Sequence, residues 1–255
     1  MPGGKILGFA VCRCNSTFFK AGLFGPAFFV MTEFIDLFAL SVFRQKLEID
    51  QAYRQKLCSR VLEMERPRPE EESAWLGDTS GFEFLFRDPD FEVLFVEIGK
   101  AVRQYTKGLG LNDELLAFYF QRSWATVSRE GQRIFEHAHQ QSHLSFAFYL
   151  KKPVDSGGIF FSVAEHPNEF APALFTLSKE EAQIICQPND RTLNQIYVEP
   201  EESEILIFPS KTLHSTAANM VAEPRISISA DIVVTLKESR GHETLMPPVE
   251  RWQSF

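Results

Sequence analysis

From Leu115 onward the chain is broken into short β-branched or aromatic runs separated by turns, and this succession constrains the fold more than any other feature. The runs are LLAFYFQRSWATVSR, HLSFAFYLKK, GGIFFSV, QIYVEP, EILIFPS, LHSTAANM and RISISADIVVTL. Residues of these types pack well on a pleated, half-buried surface. No helical run strong enough to make βαβ units lies between them, so antiparallel closure into a barrel or jelly roll is expected. One such domain with added helices accounts for a chain of 255 residues.

Two helices are expected before the chemistry. FIDLFALSVFR, residues 34–44, reads as an opening strand. Asp50 then caps QAYRQKLCSRVLEMER, whose Tyr53, Leu57, Val61 and Met64 recur at helical spacing, and Pro67 and Pro69 stop it. Glu70, Glu71 and Glu72 lie in an acidic, proline-bearing surface loop. Asp88 and Pro89 announce the second helix, FEVLFVEIGKAVRQYTKGLG, whose closing glycines suit a helix C-terminus.

Composition excludes several classes of function. There are 26 basic and 34 acidic residues, a net −8, so no basic field exists to collect nucleic acid or anionic lipid. No stretch approaches the ~20 apolar residues of a transmembrane helix. Cys12, Cys14, Cys58 and Cys186 form neither a disulfide framework nor a CxxC motif, which fits free thiols in a reducing, cytoplasmic setting. Residues 1–30 contain Lys5, Arg13 and Lys20 but no acid, with apolar pieces broken by Gly and Pro. They read as a leader or extension, with the folded unit expected from Met31 to Phe255.

The residues able to carry chemistry begin with histidines. His137 and His139 stand at i and i+2, the spacing that puts both rings on one face of an extended strand. Neutral imidazole is the commonest side-chain ligand for iron, zinc and copper. IFPSKTLHS delivers His214 after a strand and a proline-bearing turn, and Arg225 opens the next strand in RISIS. A fixed cation pointing into a barrel wants an anionic partner, which a dicarboxylate co-substrate provides.

HAHQQSHLSFAFYLKKP, ILIFPSKTLH and RISIS, with Trp124 and LFALSVF upstream, together resemble the 2-oxoglutarate and Fe(II)-dependent oxygenases of the double-stranded β-helix superfamily, in particular a subgroup related to prolyl hydroxylases. The resemblance implies His137 and His214 as metal ligands, with His139 standing where most of the superfamily has Asp or Glu. It implies Arg225 and Ser227 as the pair that binds the far carboxylate of 2-oxoglutarate, with Tyr149 a third contact or a core tyrosine. It implies Fe(II) as cofactor, and a small-molecule or peptidyl substrate that no motif identifies. With three neutral ligands a bound metal keeps its double charge. The chain departs from the subgroup's pattern at Thr126, Phe146, Ala230 and Asp231, and a bulky Phe146 is expected to narrow the pocket.

The same histidines also suit a cupin-like dioxygenase or isomerase without 2-oxoglutarate, and the barrel alone suits a catalytically silent binding module. The direction in which Arg225 points discriminates the first pair. Of the other candidates, His143 shares the parity of His137 and reads as a pocket or supporting group, and Glu136 faces the opposite way. His166 and His242 read as solvated, Cys186 as a small buried hydrophobe, Gly157–Gly158 as a turn, and Lys151 and Lys152 as a solvated strand end.

Overall fold

A computed structural model describes residues 34–66, 73–77, 81–239 and 245–255. The chain divides into two units, Met1–Ser41 and Val42–Phe255. Residues 34–41 of the first form neither helix nor strand, and the expected boundary at Met31 lies outside the described residues. All elements below belong to the second unit.

The opening strand is much shorter than its Phe-rich sequence suggests: β1 spans only Phe43–Lys46. Propensity becomes a strand only where a ladder partner exists. That partner, β7 (Glu204–Pro209), pairs with β1 from Lys46↔Glu204 to Phe43↔Ile207 and ends at a proline. Helix α1 is Gln51–Met64, and the Asp50 carboxylate accepts from the Tyr53 N–H at 3.0 Å as the sequence implied. Its Leu57, Val61 and Met64 are buried. Pro67, Pro69 and the three glutamates after them lie outside the described residues. Asp88 caps a single 3₁₀ turn, Pro89–Phe91, which leads into α2 (Glu92–Gly108).

The seven expected strand segments all form. They are β3 (Leu116–Ser128), β4 (Leu144–Lys151), β5 (Ile159–Ser162), β6 (Gln195–Val198), β7, β8 (Leu213–Thr216) and β9 (Arg225–Leu236). A two-residue strand that the sequence did not announce, β2 (Trp75–Leu76), pairs with β3. The connection between β5 and β6, read as loop, carries one short helix, α3 (Leu177–Glu181).

Every strand pair is antiparallel. A six-stranded sheet runs β1-β7-β4-β9-β3-β2 and a three-stranded sheet runs β6-β5-β8. This is a double-stranded β-helix, with one correction: among the described residues its two sheets do not close into a ring, so the frame is an open jelly roll and not a barrel.

Alternation along the central strands sorts the side chains into two layers. Ile226, Ile228, Ala230 and Ile232 of β9 and Phe146, Phe148 and Leu150 of β4 join the apolar residues of α1 and α2 in the main core. Burying each large apolar side chain of this kind contributes about 1.5–3 kcal/mol. The other parity, Ser227 and Ser229 of β9 and Ala147 and Tyr149 of β4, lines a cavity on the opposite face. A smaller cluster of Tyr149, Ile159, Phe161, Leu206 and Phe208 packs on that same face.

Candidate metal centre

His214 sits on β8, buried, opposite Phe161 of β5. The expectation that His137 and His139 lie on a strand needs correction: both lie in the β3–β4 connection, tied down by single pairings. His137 and His214 exchange backbone hydrogen bonds in both directions, at 3.0 and 2.9 Å, and the His139 N–H donates to the Ser210 carbonyl at 2.9 Å. The parity argument survives because that tethered segment sets both rings toward His214. Ring centroids are 4.4 Å apart for His137 and His214, 5.0 Å for His137 and His139, and 5.3 Å for His139 and His214. One ring nitrogen from each lies within 4.8 Å of the others, a geometry that can hold a metal ion.

Hydrogen bonding fixes which nitrogen is free. Nδ1 of His137 faces the Phe135 carbonyl at 2.8 Å, and Nδ1 of His214 faces the Thr212 carbonyl at 2.9 Å. Nδ1 of His139 faces the Asp231 carboxylate at 2.8 Å. Those oxygens accept, so each Nδ1 carries the proton and each Nε2 presents its lone pair. Burial, more than any neighbour, pushes His137 below its ordinary range and His214 down to about 3, which keeps both neutral and able to ligate at physiological pH. Three oriented neutral imidazoles therefore fit a divalent metal of the Fe(II) or Zn(II) kind.

The wall around this point is aromatic. Phe208 meets the His214 ring edge-on at 4.8 Å, and Trp124 stacks on His139 at 5.5 Å. Trp124 is in turn capped by the Arg122 guanidinium at 5.4 Å. The cavity measures ≈ 410 Å³ and is bordered by His137, His139, His214, Tyr149, Arg225 and Ser227, so all six residues expected in the site share one space. Phe146 borders it too, but its side chain belongs to the core on the helix side of the sheet.

Arg225 is 2% exposed and lines this cavity, not the solvent. Its Nη1 donates to the carbonyls of Ser156, Gly157 and Ala217 at 2.6, 2.8 and 3.0 Å, and its Nη2 donates to the Ser128 and Thr216 hydroxyls. Among the described residues no carboxylate forms an ion pair with it. Tyr149 is fully buried, and desolvation raises its phenol far above the ordinary value while the Arg225 charge opposes that rise. Ser227 pairs in register with Tyr149 on one side and Thr126 on the other, which sets these three groups abreast on the cavity floor.

The remaining candidates sort by contact. His143 is no ligand: its Nδ1 accepts from the Val234 N–H at 3.0 Å and its own N–H donates to Ile232, so it extends the β4–β9 ladder. Glu136 is exposed at the cavity mouth. His166 is half-buried, its Nδ1 accepting from the Asn168 N–H, and His242 lies outside the described residues. Cys186 is exposed, against the expectation of a buried residue, in a stretch where Ile184 and Gln187 are exposed as well. The Lys152 side chain is 3% exposed and held by Glu199 at 2.5 Å, so it is not a solvated strand end. The Gly157–Gly158 turn does more than reverse the chain: Gly157 has φ +76°, and a Cβ there would meet the Ala218 carbonyl at 2.7 Å, so only glycine lets this backbone turn its carbonyl to Arg225.

The site residue that sequence reasoning missed is Asp231. Its side chain is fully buried and accepts from His139, from Gln141 Nε2 at 3.0 Å and from Ser142 Oγ at 3.2 Å. Burial raises its pKa, but these donors outweigh burial and hold it below the usual carboxylate range. One signal was available: Asp231 has the parity of Arg225 and Ser227 on β9 and so faces the cavity side.

An open jelly roll that converges three imidazoles on one aromatic-walled cavity is a frame able to hold a metal ion. Residues 122–231 match the family described as "Putative 2OG-Fe(II) oxygenase". That matched segment contains all six expected site residues. No curated protein matches the chain. Among solved structures, HygX from Streptomyces hygroscopicus, with nickel, 2-oxoglutarate and hygromycin B bound, superposes with a TM-score of 0.51 at 9% identity, covering 76% of this chain and 83% of its own. The non-haem α-ketoglutarate-dependent epimerase SnoN from nogalamycin biosynthesis gives 0.50 at 12%, covering 77% and 81%. A Pseudomonas putida prolyl-4-hydroxylase gives 0.47 at 14%, covering 77% and 94%. The first two share the double-stranded β-helix with this chain. Among the described residues no helix is long and apolar enough to cross a membrane.

Proposed function

We propose that the chain is an Fe(II)- and 2-oxoglutarate-dependent hydroxylase of a small-molecule or peptidyl substrate, with His137, His139 and His214 as metal ligands and Arg225, Ser227 and Tyr149 holding the far carboxylate of 2-oxoglutarate. One observation carries the reading. Three imidazoles and a buried cation that, among the described residues, no carboxylate pairs with line the same cavity, and all lie in the segment that matches the oxygenase family.

Fe(II), when bound, supplies the O2 activation that couples decarboxylation of 2-oxoglutarate to succinate and CO2 with hydroxylation of a C–H bond. The chain supplies the rest. His137, His139 and His214 would hold the ion, and the cavity they border would admit a chelating 2-oxo acid beside it. The buried guanidinium attracts a dicarboxylate and fixes its direction, with the Ser227 and Tyr149 hydroxyls beside it as donors. Trp124 and Phe208 keep water from the metal's neighbourhood. A cavity of ≈ 410 Å³ suits a co-substrate and one reacting group of a larger molecule. We place the domain at 31–255, on a core that begins by β1, and the protein in the cytoplasm with no nucleic-acid or membrane partner, on the free thiols of Cys58 and Cys186 and the acidic charge.

A second reading, a cupin-like dioxygenase or isomerase on the same histidines, draws on one observation: the Arg225 terminal nitrogens already donate to five protein oxygens. Anaerobic titration of 2-oxoglutarate into the Fe(II) form separates the two. The proposal expects a visible charge-transfer band and succinate release on admitting O2. A protein that retains iron but gives neither band nor succinate takes the second reading, and one that retains no metal sinks both.

A further inference from the structure

We infer that Asp231 is a positioning residue for the metal centre, supplying through His139 the negative charge that three imidazole ligands lack. This rests on the ligand set proposed above and goes beyond it, since Asp231 does not itself reach the metal-facing nitrogens.

Three neutral imidazoles leave the double charge of a bound divalent ion uncompensated in a cavity walled by Phe208 and Trp124. The only carboxylate in contact with any of the three rings, among the described residues, is Asp231, at 2.8 Å from Nδ1 of His139. The other two Nδ1 atoms face neutral backbone carbonyls. A carboxylate on the far nitrogen pulls the Nδ1 proton toward itself, so Nε2 becomes a stronger donor to the metal, and it fixes tautomer and ring direction. The charge is held in place: Asp231 is fully buried, and Gln141 and Ser142 give it two further hydrogen bonds. Ser210 links the same group to the turn before β8, because its hydroxyl bonds both Ser142 at 2.8 Å and Ser145 at 2.8 Å. Trp124 stacked on His139 leaves that ring little freedom to swing away.

Loop anchoring alone would also explain a buried aspartate here, and charge distinguishes the two roles. The test is a double-mutant cycle read by direct Co(II) titration, following the visible spectrum of the bound ion. D231N keeps an oxygen that accepts from His139 but removes the charge, so Co(II) affinity falls about 10–100-fold and the ligand-field bands shift. In the H139D background the sign reverses. The carboxylate introduced by that substitution would set its own charge against Asp231, so D231N there strengthens Co(II) binding. Q141A with S142A loosens the loop but leaves the charged carboxylate on His139, and so lowers Co(II) affinity by less than D231N does. An equal loss from D231N in both backgrounds, or a loss from Q141A/S142A as large as from D231N, overturns the inference in favour of anchoring. If D231N alone does not fold, H139D/D231N against H139D still decides by its sign. Failure of the underlying ligand set is separate and visible: it appears as wild-type protein that binds no Co(II), or as H214A that binds it unchanged.

Discussion

Replacing Arg225 with methionine tests fold and site at once. The replacement is unbranched and apolar but shorter by two heavy atoms, and the five hydrogen bonds disappear. The Ser128 and Thr216 hydroxyls can rotate toward other partners, whereas the carbonyls of Ser156, Gly157 and Ala217 are fixed by the turn that carries them. Each buried group left unpaired costs roughly 1–3 kcal/mol, a gross loss of about 3–9 for three. Removing a desolvated cation returns part of this, because burial already disfavours the charged guanidinium. The net expectation is a destabilisation of about 3–5 kcal/mol, read as a fall in Tm of about 6–20 °C for a unit of this size. Urea and thermal unfolding of metal-free protein measure it directly. The site enters through a second scan. With Zn(II) loaded, 2-oxoglutarate at 100 times its Kd stabilises the wild type by ~2.7 kcal/mol. Arg225→Met removes that increment, and Arg225→Lys restores some of the stability but little of the increment, because an ammonium lacks the bidentate fork. A methionine variant melting within about 2 °C of wild type, where several kcal/mol predict more, would refute the hydrogen-bond account. One that keeps the full 2-oxoglutarate increment would refute the anchoring role.

Three further outcomes follow from single contacts. Gly157→Ala must relieve both φ +76° and a 2.7 Å clash with Ala218, so it costs roughly 1–3 kcal/mol and weakens 2-oxoglutarate binding through Arg225, measurable as a lower Tm and a raised KM for the co-substrate. His143→Ala breaks the Val234 contact, lowering stability by roughly 1–2 kcal/mol in urea while Co(II) affinity stays unchanged; a large loss of metal would return His143 to the site. Asp50→Ala removes the cap of α1 and costs about 1 kcal/mol without altering metal affinity, since α1 packs on the face of the sheet away from the cavity.

The strands after Leu115 were legible because alternating apolar residues and turn signals are local properties. So was α1, whose cap and apolar stripe lie within fifteen residues of one another. The opening strand was overread by nine residues, because β1 is limited by its ladder with β7, a segment some 160 positions away. Cys186 and Lys152 were misplaced for the same reason: burial of a loop or strand end depends on what lies across from it, as Glu199 does for Lys152.

The site divides along the same line. Residue types and order alone marked His137, His139, His214 and Arg225 as the candidates for holding a metal and an acid, because imidazole and guanidinium chemistry belongs to the side chain wherever it sits. Only the tertiary structure decided that the three rings meet, that each turns Nε2 inward, and that His139 has Asp231 behind it. Those facts depend on hydrogen bonds between segments up to 92 residues apart, as for Asp231 and His139, and a distance of that kind is set by how two sheets pack, which no local run of sequence encodes.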